Sequence, residues 1–184
     1  MLERILVAMD HSDNGDQAFQ VALDLAKACQ AQLMLLHVLS TEEEGYPQWP
    51  TIPGTYFYPD FSDLPFENFQ KAWENYKEHG LRRLTAASDQ AVRVGVLTKI
   101  MQRSGSPRLA ICDLAKTWHA DLILMGSRGR SGLAEAFLGS VSNYVMHHAP
   151  CSVMVVRSPQ ALEKNSVGDS TQHQHQETGL TAPQ

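Results

Sequence analysis

Apolar residues along the chain alternate between two kinds of spacing. ILVAM at residues 5–9 and LMLLHVL at 33–39 are short unbroken apolar runs, the signature of strands buried on both faces of a parallel sheet. Between them, from Asn14 to Gln30, Ala18, Val21, Ala22, Leu25, Ala26 and Cys29 keep the i, i+3, i+4 spacing of a helix with one buried face. These segments predict a βαβ unit with a right-handed crossover, residues 5–9 being the central strand. Further on, Phe69, Trp73, Tyr76, Leu81 and Leu84 predict a helix from Phe66 to Gln90, in which Gly80 is a weak point. VRVGVLTKI at 92–100 alternates apolar with polar residues and predicts a half-exposed strand at a sheet edge. Ser106 and Pro107 open a helix that Leu109, Ile111, Leu114, Ala115 and Trp118 continue. DLILMG at 121–126 and SVMVV at 152–156 predict two more strands, with a helix at 140–148 between them that Pro150 closes. The expected fold is α/β, a doubly wound five-stranded parallel sheet with helices on both faces.

Two segments break the alternation. Residues 41–65 hold five prolines, two glycines and the aromatics Trp49, Tyr56, Phe57, Tyr58 and Phe61 without either period, and predict a surface insertion. Beyond Ser158 the sequence is polar and unpatterned, so one domain over residues 1–157 followed by a disordered tail over 158–184 is expected. A net charge of −5 with no basic cluster argues against nucleic acid as a partner. No stretch approaches the ~20 apolar residues that cross a bilayer, so neither a membrane segment nor a signal peptide is expected. Cys29, Cys112 and Cys151 form no CxxC pair and sit in apolar settings, which suits three core residues in a reducing cytoplasm.

In a doubly wound sheet, ligands bind beyond the carboxyl ends of the strands where strand order reverses. That rule selects the segments after Met9, Val38 and Met125. The third reads GSRGRSGLAEAFLGS, in which Gly126, Gly129 and Gly139 let backbone approach a phosphate and Ser140 is suited to cap the next helix. No GxxxxGK[ST] is present and no GxGxxG follows the first strand, which excludes a P-loop and disfavours a dinucleotide oxidoreductase. Asp10 stands at a strand-to-helix turn, where capping the first helix is an alternative to touching a ligand. His37 reads as a packed residue at its strand end.

The spacing G-x2-G-x9-G-[ST] over Gly126–Ser140 resembles the ATP-binding branch of the universal stress protein family. The resemblance spans residues 1–157: a strand ending in Asp10, then Ser12 and Ala18; LLHV at 35–38; LILMGSRGRSGL at 122–133; and APCSVMVV at 149–156. Gly15 departs from it where the family often has Ser, and Ser152 where it often has Pro. What the resemblance implies is an adenine nucleotide alpha hydrolase-like fold over 1–157. It places Ala8, Asp10 and Ser12 by the nucleoside and Val38 by adenine. Gly126, Arg128, Gly129, Gly139, Ser140 and Val141 would hold ribose and phosphates, with Asp10 also meeting Mg²⁺ beside the phosphates. The apolar edge of the last strand predicts a homodimer joined through residues 152–156, which the resemblance also implies. The function expected is an ATP-binding stress-response or regulatory module with little or no turnover. The alternatives are a slow ATP hydrolase or phosphoryl-transfer enzyme, and an interaction module without nucleotide.

Overall fold

A computed structural model of the chain describes residues 1–43, 45–48, 63–127 and 138–157. The tail beyond 157, the aromatics at 49–61, and Arg128 and Gly129 lie outside the described residues. The elements follow in the order β1 (Arg4–Ala8), α1 (Asp13–Cys29), β2 (Gln32–Leu39), α2 (Asp63–Arg93), β3 (Thr98–Ser104), α3 (Pro107–Trp118), β4 (Leu122–Gly126), α4 (Ser140–His148) and β5 (Ser152–Val156). The five strands form one sheet in the order β3-β2-β1-β4-β5, every neighbouring pair parallel. This is the expected doubly wound α/β fold.

The period-2 alternation of the strands divides the core into two layers. Ile5, Val7, Leu33, Leu35, Leu122 and Leu124 face one side, where Phe19, Ala22 and Leu23 of α1 and Leu84, Ala87 and Ala91 of α2 cover them. Leu6, Met34, Leu36, Val38, Ile123 and Met125 face the other, against Ile111, Leu114 and Ala115 of α3 and Val145 of α4. Strands covered on both faces leave little room for a polar residue within the runs, which is why they read as unbroken apolar segments. No helix among the described residues is long and apolar enough to cross a membrane.

The strand expected at 92–100 is displaced. Helix α2 runs on to Arg93, and the amides of Val94, Gly95 and Val96 bond back to the carbonyls of Ala91 and Val92. Gly95, at φ +82°, supplies the left-handed residue that ends the helix. The valines of this stretch therefore belong to a helix terminus, and the strand begins at Thr98, where it pairs with Leu33. Its place at the sheet edge is as expected. The cysteines also differ from expectation: Cys29 is exposed at the end of α1, and Cys112 and Cys151 are half-buried free thiols.

Candidate functional site

Strand order reverses at β1, which has β2 on one side and β4 on the other. A cleft opens at the carboxyl ends of these strands, the place the topology reserves for ligands. Ala8, Met9 and Asp10 after β1, Leu36 and Val38 of β2, and Met125 and Gly126 of β4 line it, closed by Pro107 and Ile111 of α3 and by Gly139, Val141 and Ser142 at the start of α4. Six positions singled out in the sequence thus meet there: Ala8, Asp10, Val38, Gly126, Gly139 and Val141. Leu36, Pro107, Ile111, Met125 and Ser142 were not singled out. Leu36, Ile111 and Met125 carried only the signal of core residues and Pro107 that of a helix start, and in space these four give the cleft an apolar wall suited to a flat ring.

Asp10 is held by the turn between β1 and α1. Its Oδ1 accepts from the Ser12 amide at 3.1 Å and from the Ser12 hydroxyl. Ser12 is the N-cap of α1, its Oγ accepting from the Gly15 amide at 3.2 Å. Ser12 therefore caps the helix and positions Asp10, and it is not among the residues lining the cleft. The capping role considered for Asp10 belongs to its neighbour. Gly15 is part of the same arrangement: a Cβ there would lie 2.7 Å from Asp10 Oδ1 and 3.1 Å from the Asp10 backbone. The departure from serine at residue 15 is matched to this position of the Asp10 carboxylate.

The glycines of the 126–140 segment have different reasons. A Cβ on Gly126 would stand 2.7 Å from the carbonyl carbon of Asn14 and 2.8 Å from its Cβ, so close packing of α1 on β4 already requires glycine. The Asn14 side-chain Nδ2, donating to the Ser127 carbonyl, fastens the two segments together. Gly139 has φ −56° and ψ 157°, angles open to any residue, so its backbone does not demand glycine. The expected capping role of Ser140 is corrected as well. Gly139 is the N-cap, Ser140 is the first helical residue and exposed, and the cap supplies no side-chain hydrogen bond to the first turn of α4. Bare amides at a helix start favour an anion.

Beside the turn that holds Asp10 lies a polar cluster centred on Glu43, a residue not singled out in the sequence. Glu43, near the start of the insertion, folds inward until it is 6% exposed. His37 Nε2 approaches its two carboxylate oxygens at 2.9 and 3.1 Å, the Tyr76 hydroxyl donates to it, and the His11 amide donates at 3.1 Å. Gln102 donates from one amide nitrogen to His37 Nδ1 at 3.1 Å and to the Lys77 carbonyl at 3.0 Å. His37 thus carries its proton on Nε2 and gives it to Glu43. Desolvation pushes the Glu43 carboxyl up, but the His37 and Tyr76 hydrogen bonds and the neighbouring imidazoles outweigh it and hold it below its ordinary value. Burial holds His11 below the usual imidazole range against the pull of Glu43, and burial with the bond to Glu43 raises Tyr76 well above the usual phenol value. His37 is a packed strand-end residue as expected, and the packing is polar. Tyr46 completes the cluster's outer wall, its ring 5.6 Å from those of both Trp73 and Tyr76.

The sequence profile of the universal stress protein family matches residues 1–157. The chain belongs to this family. A universal stress protein of Bacillus subtilis, YxiE, is 36% identical over 157 residues, covering 85% of this chain and all of the relative. The Synechocystis protein Sll1388 is 34% identical over 154 residues, covering 84% and 97%. Among solved structures, the universal stress protein UspA of Lactobacillus plantarum superposes with a TM-score of 0.59 at 27% identity, over 85% of this chain and 98% of that one. Two further relatives share the fold at lower identity. One is a universal stress protein in complex with cAMP (24%, TM-score 0.53, 85% and 97% covered), the other an Arabidopsis thaliana family member with AMP bound (22%, TM-score 0.55, 84% and 91% covered).

Proposed function

We propose that this universal stress protein binds ATP in the cleft between β1 and β4 and serves as a nucleotide-dependent stress-response module with little or no turnover. The observation that carries this reading is the convergence of Ala8, Asp10, Val38, Gly126, Gly139 and Val141, scattered over the sequence, on one cleft at the switch point. The chemistry of the lining fits the parts of the nucleotide. Leu36, Val38, Ile111 and Met125 offer the adenine an apolar slot. Asp10 is held within reach of a ribose hydroxyl or of Mg²⁺ beside the phosphates, and the uncapped start of α4 suits the phosphates themselves. Arg128 and Gly129, outside the described residues, complete the phosphate side of the proposal. The relatives solved with cAMP and with AMP support an adenine nucleotide as the ligand class.

Slow turnover is proposed because phosphoryl transfer needs a placed base and charge clamps at the γ-phosphate. His11, next to Asp10 in the chain, and Glu43 contact one another and are not among the residues lining the cleft. We also propose a homodimer through β5, whose outer edge pairs with no strand among the described residues and carries Met154 at 40% exposure. The test is mass spectrometry of the small molecule released on denaturing freshly purified protein, joined to an ATP turnover assay. An adenine nucleotide released, with turnover below about one per second, supports the reading; dedicated phosphoryl-transfer enzymes run faster. Release of no nucleotide, together with no uptake of added ATP, would favour an interaction module instead.

A further inference from the structure

We propose that His11, His37 and Glu43 form a binding site for a zinc-class divalent cation, a site separate from the nucleotide cleft and independent of whether that cleft holds ATP. One ligand atom from each of the three side chains lies within 4.8 Å of the others, and two of the three residues are buried. Bonds of about 2.0–2.1 Å in a tetrahedral zinc centre put neighbouring ligand atoms about 3.3 Å apart. His37 Nε2 stands 2.9 and 3.1 Å from the Glu43 oxygens, and His11 Nδ1 stands 3.6 Å from Oε1. These spacings bracket the expected one, and the remaining edge, between the two imidazoles, lies within 4.8 Å.

Charge points the same way. Glu43 is a buried carboxylate whose ion-pair partners among the described residues are histidines, with no Lys or Arg beside it. Hydrogen bonds from His37, Tyr76 and the His11 backbone amide keep this carboxylate ionised, so it offers a formal negative charge to a dication. The surroundings also orient the ligands. Tyr76 occupies Oε2 of Glu43, leaving Oε1 toward His11. The far nitrogen of His11, Nε2, is 3.3 Å from His79 Nδ1, so its proton finds a partner while Nδ1 keeps a free lone pair, the outer-shell pattern of metal-bound histidines. Metal uptake by His37 Nε2 moves the imidazole proton to Nδ1, and the Gln102 amide must then turn to accept it, giving up the bond to Lys77. Two imidazoles and one carboxylate suit zinc and its transition-metal neighbours, whereas Mg²⁺ demands an oxygen octahedron. Such an ion would clamp the end of β1, the end of β2 and the start of the 41–65 insertion together.

The experiment is competition for zinc between a chromophoric chelator and the full-length chain carrying His173→Gln and His175→Gln, so that the tail imidazoles do not contribute. The expected result is one zinc per chain with a dissociation constant of about 10 µM or tighter, undisturbed by millimolar Mg²⁺. His11→Ala should weaken binding at least about tenfold, and Glu43→Gln, which keeps the shape of the side chain, should do the same, each checked for a native circular dichroism spectrum. Cobalt(II) in place of zinc should give the intense visible absorption of a four-coordinate ion. Weaker zinc binding than this, or less than a tenfold loss in the folded variants, would overturn the proposal and leave the cluster as a hydrogen-bonded strut.

Discussion

Gly80 lies inside the 31-residue helix α2, where general propensity says that alanine should be better by about 1 kcal/mol. The structure reverses the sign. A Cβ on residue 80 would sit 2.3 Å from Nδ1 and 2.4 Å from Cε1 of His37, and 2.7 Å from the Gln102 amide nitrogen. Ordinary contacts between such atoms are about 3.5–4.0 Å, so the overlap exceeds an ångström. His37 has no room to retreat: it is 2% exposed and fixed by Glu43 on one side and Gln102 on the other. Either α2 lifts from the sheet, an overpacking strain of about 1–3 kcal/mol, or His37 leaves its partners and forfeits a charge-assisted bond of about 1.5–3 kcal/mol. After subtracting the propensity gain, Gly80→Ala should destabilise the protein by about 0.5–2 kcal/mol. Urea unfolding followed by circular dichroism would read this as a lower midpoint at unchanged slope. A midpoint equal to or above that of the parent would refute the close approach of α2 to His37.

The Gly15 position makes a contrasting case. The atom nearest its Cβ is the end of the Asp10 side chain, which can swing away, so Gly15→Ala should leave the fold intact yet weaken ATP binding about tenfold, the worth of one hydrogen bond, by calorimetry; unchanged affinity would remove Asp10 from the site. Met154→Lys puts a charge on the exposed edge of β5 without entering the core, and light scattering should show a dimer become a monomer; a parent protein that is already monomeric would dispose of the dimer. Glu43 and His11 both have folded pKa values below their ordinary ones, so the unfolded chain binds the extra protons and stability is full only above the unfolded values. In chelating buffer, thermal stability should therefore fall on acidification, beginning below about pH 6.5 through His11 and continuing below about pH 4.3 through Glu43. Glu43→Gln should flatten the lower part of that profile, and a steeper fall in the variant would contradict the assignment.

The sheet was legible because burial on both faces forces strands into apolar runs, and each of the segments at 5–9, 33–39, 121–126 and 152–156 became a strand within a residue or so. The stretch at 92–100 misled because β-branched alternation says that a segment tolerates an extended backbone, whereas the hydrogen bonds of a helix terminus and the left-handed Gly95 decided otherwise. Ligand-cleft positions contributed by backbone and glycine were readable as a spaced motif. The apolar wall was not, since Leu36, Ile111 and Met125 obey the same periodicity whether they face a ligand or a core. The Glu43 cluster was hidden for a further reason. Nothing in TEEEG distinguishes the acid that turns inward, and its partners His11, His37 and Tyr76 come from three separate segments. Two signals pointed toward it in retrospect: a histidine inside a buried strand, which needs polar partners, and a glycine in mid-helix, which marks a close approach.

Titration of nucleotide-stripped full-length protein with Mg²⁺–ATP in a calorimeter, beside Gly139→Val, decides whether ATP binds at the switch point. The angles at residue 139 accept valine, so the variant should fold, and its side chain would fill the space at the start of α4 that the phosphates need. The parent should bind one ATP per chain saturably, at micromolar strength or tighter, and the variant none. No heat from the parent, or equal binding by a folded Gly139→Val protein, would contradict it.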